Sequence, residues 1–368
     1  AQYMQTRLWR LIKNEEQLNE EKLKEAAVLI REGEVVAFPT ETVYGLGANG
    51  LNGNAVRKIF AAKGRPADNP LILHIAEKRE IEKLTTGLSA NAQALMQAFW
   101  PGPLTLVVPK SSIIPDEVSA GLATVAVRMP VHPVARKLIG LAGCPIAAPS
   151  ANKSGKPSPT NAQDVLEDME GLIAGVIDGG SSDIGLESTV VDTTAPVPVI
   201  LRPGGITKEM LEKVLGVVDV DPGLSGSSEC RPKAPGMKYR HYAPKAPMYL
   251  FVGEETAVQM EAAIIKGLAA GKKIGVIADA AAASELPRDS MLVIKNWQED
   301  QAVLAENLFA WLRDFDHAKV DVILAQGVAE NGLGLALMNR LRKAAGNNIL
   351  LAKDRKLFVQ SGTRPEFL

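Results

Sequence analysis

Three short segments of the chain carry residue types that could bind and activate an anionic ligand. They are Phe38–Gly47, which reads Phe-Pro-Thr-Glu-Thr-Val-Tyr-Gly-Leu-Gly, then Lys63–Pro66 and Pro149–Asn152. The first follows an apolar run, the second ends a segment of helical periodicity, and the third is a run of small residues. Hydroxyls, cations and glycines at these positions indicate that a strand end, a helix end and a loop converge on an anionic substrate.

The second segment places two cations on either side of a glycine. Lys63 and Arg65 flank Gly64 at the predicted end of a helix, and Pro66 and Pro70 stiffen the chain that follows. A simpler explanation is that Lys63 complements the helix dipole while Arg65 is solvated. The glycine and the prolines favour a preorganised phosphate or carboxylate site, because they fix both side chains relative to the backbone.

A further candidate cation lies on a predicted strand. Thr124–Met129 alternates so that Thr124, Ala126 and Arg128 share one face, and arginine is seldom unpaired on an inner face. Two explanations stay open. Either this is an exposed edge strand with Arg128 in water, or Arg128 and His74 face one cavity and hold the carboxylate of a small polar ligand. Taken singly, His74 is more often a satisfied core residue.

Small hydroxyl residues are concentrated after the predicted strand Pro145–Ala148. The stretch Ser150–Asn161 contains four Ser or Thr residues, two Asn and one Gly. Ligand-binding loops lie at the carboxyl ends of strands in α/β sheets, and short polar side chains let phosphate or ribose approach closely. A plain surface loop with ordinary turn residues is the alternative.

Several familiar motifs are absent from the sequence. Gly267–Lys273 has the wrong spacing for a GxxxxGK[ST] phosphate loop, and no GxSxG element is present. The glycine pairs at 45 and 47 and at 332 and 334 lack the third glycine of a dinucleotide fingerprint. The four histidines and two cysteines show no metal-ligand spacing. We therefore expect an unconventional nucleotide site and no metal held by the protein.

Composition limits the classes of function. The 368 residues suggest two domains, and 46% hydrophobic with 23% charged residues is typical of a globular protein. A net charge of -1 argues against strong nonspecific binding to nucleic acid. The few cysteines, the lack of an apolar leader and the lack of a membrane-length apolar run predict a reduced, cytoplasmic protein that does not enter membranes.

Hydrophobic periodicity predicts the elements that position these segments. In the first part of the chain we expect a mixed α/β sheet domain over residues 1–215, with helices and strands at Glu15–Glu32, Val35–Pro39, Asn54–Lys63, Leu71–Ala76, Ser89–Trp100, Leu104–Pro109, Thr124–Met129, Pro133–Leu141, Pro145–Ala148, Ser188–Asp192 and Val199–Arg202. Residues 216–247 are predicted to be a linker or lid. A smaller Rossmann-like domain with a parallel sheet is predicted over 248–353, and a flexible tail over 354–368.

Taken together, the motifs resemble those of the threonylcarbamoyl-AMP synthase family, in its longer form with a YrdC-like domain and an additional C-terminal domain. The resemblance covers about residues 10–350. It is carried in order by Pro-Thr-Glu-Thr-Val-Tyr-Gly-Leu-Gly, Lys-Gly-Arg-Pro, Asn-Pro-Leu, Pro-Ser-Ala-Asn, Ser-Thr-Val-Val-Asp, Arg-Pro-Gly and Pro-Gly-Met-Lys-Tyr-Arg-His-Tyr-Ala-Pro.

The resemblance implies an activity and its substrates. The family joins L-threonine, bicarbonate and ATP into L-threonylcarbamoyl-adenylate and releases pyrophosphate, with Mg²⁺ carried by the nucleotide. This is the first step of the threonylcarbamoyl modification of the adenosine beside the tRNA anticodon, so a tRNA threonylcarbamoyl transferase is a possible partner. Direct tRNA binding is expected to be weak or absent.

The resemblance also implies residue roles, carried over motif by motif. L-Threonine would be bound by Thr42, His74, Arg128, Ala148 and Ser188. ATP would be bound by Arg65, Asn69, Thr124, Ser150, Ser158, Arg202 and, from the linker, Arg240. The catalytic group would be Lys63, Arg65, Ser150 and Asn152.

Two other classes of function stay open. The chain could be an RNA-binding module with a concave basic surface and no catalysis, although its near-zero net charge speaks against this. Alternatively, the C-terminal domain could act as an independent nucleotide sensor.

Overall fold

A computed structural model of the chain describes residues 4–225 and 241–368. These residues form two compact units. The N-terminal unit comprises 4–154 and 158–225, and the C-terminal unit comprises 155–157 and 241–368. Three residues of the hydroxyl-rich stretch therefore belong to the C-terminal unit, where the Ala243 amide donates to the Gly155 carbonyl at 2.9 Å. The predicted linker lies partly outside the described residues.

Seven α-helices are present among the described residues of the N-terminal unit. They are α1 Glu16–Arg31, α2 Gly53–Lys63, α3 Ala90–Phe99, α4 Asp116–Ser119, α5 Pro133–Ala142, α6 Ala162–Met169 and α7 Lys208–Leu215. Short 3₁₀ helices occupy Lys78–Lys83 and Pro222–Ser225. The predicted apolar stripe of α1 is confirmed, because Leu23, Ala26, Ala27 and Ile30 are all buried.

The same unit contains one mixed sheet. Its strands are β1 Arg7–Arg10, β2 Val36–Phe38, β3 Gly45–Asn49, β4 Ile72–His74, β5 Leu104–Pro109, β6 Thr124–Arg128, β7 Ile146–Ala148, β8 Gly175–Asp178, β9 Thr189–Asp192, β10 Val199–Arg202 and β11 Asp219–Val220. They lie in the order β1-β8-β2-β3-β7-β4-β6-β5-β9-β10-β11. β11 lies in the predicted linker, yet it pairs with β10 in this sheet.

The centre of the sheet is covered on both faces. One face packs residues such as Leu73 and Val127 into the largest core cluster, while Ile72 and Ala126 pack on the opposite face. β6 lies between β4 and β5 rather than at an edge, so the exposed-edge explanation for Arg128 is wrong. The register pairs His74 of β4 with Arg128 of β6, which places both side chains on the Ile72 face.

The C-terminal unit has a second sheet with helices around it. Its strands are β12 Met248–Gly253, β13 Ile274–Ala278, β14 Leu292–Asn296, β15 Val322–Gln326, β16 Ile349–Lys353 and β17 Lys356–Ser361, and its helices are α8 Thr256–Ala269, α9 Ala280–Ser284, α10 Gln301–Ala318 and α11 Gly334–Ala344. The order is β14-β13-β15-β12-β16-β17, with parallel pairing throughout except between β16 and β17. The predicted Rossmann-like parallel sheet is therefore confirmed.

The prediction of a flexible tail over 354–368 is wrong. Lys356–Ser361 of this stretch forms β17, which pairs antiparallel with β16, and Phe367 and Leu368 pack against the core of the C-terminal unit. β17 is an edge strand with largely exposed side chains, so its sequence carries little hydrophobic alternation. No helix among the described residues is long and apolar enough to cross a membrane.

Candidate functional site

The candidate site lies in the N-terminal unit, where the segment after β2 meets the end of β6. Arg128 is the last residue of β6, and its side chain is 2% exposed. Its Nη2 donates to Thr42 Oγ1 at 3.1 Å, and its Nη1 lies 3.0 Å from Glu41 Oε1. Arginine is rarely buried without a partner, so these contacts account for a guanidinium in the interior.

Hydroxyl groups fix the segment that presents Thr42. Thr40 Oγ1 lies 2.9 Å from Thr42 Oγ1 and donates to the Val43 carbonyl at 2.6 Å. The Gly185 amide donates to the Thr42 carbonyl at 3.0 Å, so the segment that leads to Ser188 is hydrogen-bonded to the segment that contains Thr42. These buried bonds join groups of the protein itself, so they fix the position of Thr42 without contributions from solvent.

His74 is buried in a defined tautomer. Its Nδ1 lies 3.1 Å from the Ile72 carbonyl and 3.2 Å from the Ile146 carbonyl, and carbonyl oxygens only accept, so Nδ1 carries the proton. Burial, and then the charge of Arg128, lower the pKa of His74 to about 3. The ring is therefore neutral at physiological pH, and Nε2 is an acceptor.

A second polar chain connects β5 and β10 through Ser188, the residue directly before β9. Thr105 Oγ1 lies 2.7 Å from Ser188 Oγ, and Arg202 donates from Nη2 to Ser188 Oγ at 3.1 Å and from Nε to the Ser188 carbonyl at 2.9 Å. Thr105 is opposite Arg128 in the β5–β6 register. Two residues assigned to different ligands by motif, Ser188 and Arg202, are therefore in direct contact.

Lys63 ends α2 and points into the hydroxyl-rich loop. Its Nζ donates to the Ser150 carbonyl at 2.6 Å and to the Asn152 carbonyl at 2.8 Å, and the side chain is buried. Burial and the charge of Arg65 lower its pKa well below the usual value, although Asp168 and Glu187 oppose the shift. Lys63 thus holds the loop, in place of the simpler role of an exposed cation at a helix end.

The rest of the loop is positioned by carboxylates. Ser150 Oγ donates to Asn152 Oδ1, and the Lys153 amide donates to Asp168 Oδ2 at 2.8 Å. Ser158 Oγ donates to Glu187 Oε2 at 2.9 Å. Both Asp168 and Glu187 are buried, so two carboxyl groups lie beside the loop for which the sequence predicts anion binding.

The remaining predicted residues lie around this centre. Arg65 is half-buried after the left-handed Gly64, which has a φ of 79°. Asn69 is buried, and its Oδ1 makes no hydrogen bond within the described part of the chain. Thr124 begins β6 on the Arg128 face, and Ala148 is buried opposite Ile72. Arg240 lies outside the described residues.

Four buried polar residues of this region are not among the residues predicted from the sequence. Glu41 lies inside the first motif, but its neighbours drew attention to the hydroxyls. Thr105 sits in an otherwise apolar strand, Asp168 lies in a segment without a recognised motif, and Glu187 directly precedes the Ser-Thr-Val-Val-Asp motif. What these four residues share is a polar side chain at a buried position. Their burial can be recognised only once the pairing of the strands and the packing of the segments are known. Within residues 4–225 and 241–368, no group of three or more His, Cys, Asp or Glu residues could hold a metal ion.

Comparisons with known proteins agree with this architecture. The family model described as telomere recombination, which groups Sua5, YciO and YrdC, matches residues 28–204. The model described as the C-terminal domain of threonylcarbamoyl-AMP synthase matches residues 206–346. Together they cover both structural units.

Curated relatives match over nearly their whole length. The threonylcarbamoyl-AMP synthase of Pyrococcus abyssi is 53% identical over 342 residues, which is 92% of this chain and 98% of the relative. That of Bacillus subtilis is 49% identical over 349 residues, covering 94% of this chain and 100% of the relative.

A solved structure matches the fold. The crystal structure of P. abyssi Sua5 complexed with L-threonine has a TM-score of 0.88 and 50% identity, and the match covers 95% of this chain and 100% of that chain. With long relatives at such identity and both domain models in order, this chain belongs to the threonylcarbamoyl-AMP synthase family.

Proposed function

We propose that this protein makes L-threonylcarbamoyl-AMP from L-threonine, bicarbonate and ATP, with release of pyrophosphate. The observation that carries the proposal is the buried Arg128 guanidinium, hydrogen-bonded to Thr42 and on the same sheet face as the neutral His74. An amino acid needs a cation for its carboxylate and acceptors for its ammonium and hydroxyl groups, and this combination offers both.

The threonine end of the site follows from these donors and acceptors. The Arg128 guanidinium would bind the carboxylate, with the Thr42 hydroxyl beside it. Because His74 Nε2 is an acceptor, it would bind the ammonium or hydroxyl group of threonine. It has no proton to donate to the carboxylate, so it would not help Arg128 to hold that group, which is the role that the sequence suggests for it. Ser188 and the Ala148 carbonyl would complete this pocket.

The nucleotide end would use the remaining predicted residues. Arg65 and Arg202 supply charge for the phosphates, and Ser150, Ser158 and Thr124 supply hydroxyls, while the free Asn69 Oδ1 suits an N–H of the base. Lys63 would keep the Ser150–Asn152 loop in position through its bonds to two carbonyls. A Mg²⁺ ion would arrive with the triphosphate and balance part of its charge. Arg240 remains a predicted ATP ligand.

The reaction needs positioning rather than a protein nucleophile. Bicarbonate would take up a proton and lose water to give CO₂. The threonine amine would then attack the CO₂ carbon and release a proton, giving a carbamate. A carbamate oxygen would then attack the α-phosphorus of ATP, and the bond to pyrophosphate would break. Both reactants are anions that repel each other, so fixed cations and donors lower the barrier by holding them together.

A pyrophosphate-release assay tests the proposal. The protein is incubated with bicarbonate, Mg²⁺ and α-labelled ATP, with and without L-threonine. We expect labelled threonylcarbamoyl-AMP and pyrophosphate only when threonine and bicarbonate are both present. Pyrophosphate release at the same rate without threonine, or none at all, contradicts the proposal.

The product has a defined use. A threonylcarbamoyl-adenylate is a mixed anhydride that can transfer its threonylcarbamoyl group to an amine. We therefore place this protein at the first step of the threonylcarbamoyl modification of tRNA, ahead of a separate transferase.

A further inference from the structure

Glu41 is a buried carboxylate that the proposed chemistry does not use. The residue is 4% exposed, and its Oε2 accepts from the Val131 amide at 2.9 Å. Its main-chain carbonyl accepts from the Ile184 amide at 2.9 Å. Its Oε1 makes no aligned hydrogen bond to any described residue, but lies 3.0 Å from Arg128 Nη1. One carboxylate oxygen is therefore held by the backbone and the other faces the cation of the pocket.

The pair sets the charge of this region. Burial raises the pKa of Glu41, but the charge of Arg128 and the bond from Val131 outweigh it and leave the pKa below its usual value. Glu41 is therefore ionised. With Arg128 positive and His74 neutral, these three side chains carry no formal charge in total before a ligand enters.

We propose that Glu41 is a specificity-determining residue that makes the Arg128 pocket select zwitterionic amino acids over carboxylates without an ammonium group. The inference rests on the proposed function, because it takes this pocket as the threonine site. It gives Glu41 a role in ligand selection, which would not be needed if threonine were recognised through Arg128 alone.

The selection follows from charge balance at low dielectric. If Arg128 were the sole ion in the pocket, any small carboxylate would neutralise it. With Glu41 present, a bare carboxylate leaves one uncompensated negative charge near the site, whereas a zwitterion brings its own ammonium and leaves none. Repulsion of the wrong ligand is a common source of specificity.

Titration calorimetry with two ligands tests the inference. The ligands are L-threonine and (R)-3-hydroxybutyrate, which is the same molecule without the amino group. Wild-type protein should bind threonine at least about tenfold more tightly. In Glu41→Gln the affinity for 3-hydroxybutyrate should rise about tenfold or more, while that for threonine changes less. A defect of packing alone cannot produce this gain, so loss of both ligands in parallel overturns the inference.

Further measurements separate the possible failures. Glu117→Gln is a matched control, because Glu117 is also largely buried and ion-paired, with Arg57 of α2, and it should keep the wild-type ratio. If Glu41→Gln does not fold, the wild-type ratio still decides, since equal binding of both ligands overturns the inference. No threonine binding by the wild type contradicts the proposed function, whereas threonine binding without discrimination contradicts the inference about Glu41 alone.

Discussion

Burial determines what each ionisable side chain of the site can do. Arg128, Lys63 and His74 are each at most 4% exposed, so their charges and protons are set by protein partners rather than by water. A buried ion interacts more strongly with a ligand of opposite charge than an exposed one does, and it is costly to leave unpaired. The predictions at this scale therefore concern single groups.

Replacing Arg128 should separate the two ligands of the site. In Arg128→Gln, L-threonine binding should weaken by about 2–5 kcal/mol, because a desolvated carboxylate loses its partner. ATP binding should change far less, since Arg128 contacts Thr42, Glu41 and the Gly102 carbonyl rather than a residue predicted for ATP. Calorimetric titration of each ligand measures both effects. Arg57→Gln, which alters an exposed arginine of α2, is the control and should bind both normally. Equal losses for threonine and ATP would refute the assigned role.

His74 predicts a pH dependence of stability. Its pKa is about 3 in the folded chain against 6.5 for the free side chain, so below pH 6.5 the unfolded state binds a proton that the folded state does not. The free energy of unfolding should therefore decrease as the pH is lowered from 6.5 to about 3. The His74 contribution is about 1.4 kcal/mol per pH unit at most. Urea denaturation at pH 7.5 and 5 should show a shallower decline for His74→Gln than for the wild type.

The tautomer of His74 supplies an independent control. Nitrogen NMR of labelled imidazole at pH 5.5 should show one neutral ring protonated at Nδ1, and its signals should be missing in His74→Gln. An imidazolium pattern at that pH, or parallel stability curves for the two proteins, would contradict the assignment.

The residue patterns predicted correctly which side chains share a strand face, but they did not predict which side chains contact each other. The alternation of Thr124, Ala126 and Arg128 placed the arginine on the correct strand face, because the strand period is fixed by backbone geometry. Whether that face was buried could not be read, since it depends on β4 and β5 on either side. Glu41 and Thr105 were missed for the same reason: their contacts join segments far apart in the chain.

At the scale of elements, the close packing of β3 explains its unusual sequence. β3 contains two glycines and reads Gly-Leu-Gly-Ala-Asn, so strand propensity did not predict it. A Cβ added at Gly47 would lie 2.7 Å from Phe38 Cε1 and 2.8 Å from Ile146 Cγ2, both on neighbouring strands. The glycine is required for the approach of β2 and β7, and β7 leads directly into the Ser150 loop.

This packing makes a testable difference between glycines. Gly47→Ala should destabilise the protein by about 1–3 kcal/mol, because strands and a ring must move to admit the methyl group. Gly140→Ala is the matched control. Gly140 lies within α5 and nothing is within 4 Å of its added Cβ, so alanine should be neutral or should stabilise by up to about 1 kcal/mol. Urea denaturation of both variants measures the effects. A Gly47→Ala protein as stable as the wild type would show that β3 is less constrained than this packing requires.

Elements with strong periodicity were predicted, and edge elements were not. α1, α2 and α5 begin and end within one residue of their predicted bounds, because their apolar stripes face the core. β1 and β17 lie at sheet edges, where exposed side chains remove the hydrophobic alternation that a sequence can show. In the N-terminal unit, several strongly periodic elements could be predicted, but the glycine-rich β3, the edge strands and the buried polar contacts could not.

At the scale of the whole molecule, the net charge of the chain distinguishes an enzyme from an RNA-binding module. The 41 Lys and Arg residues are balanced by 42 Asp and Glu residues, so the chain carries no large excess of positive charge. Since affinity for tRNA comes mainly from clustered cations, we expect a dissociation constant above about 100 µM for tRNA at 150 mM salt. Filter binding beside a basic RNA-binding protein as positive control measures this. Micromolar binding that weakens steeply with salt and ignores threonine would instead favour the RNA-binding module, because phosphate contacts would then dominate over recognition of the amino acid.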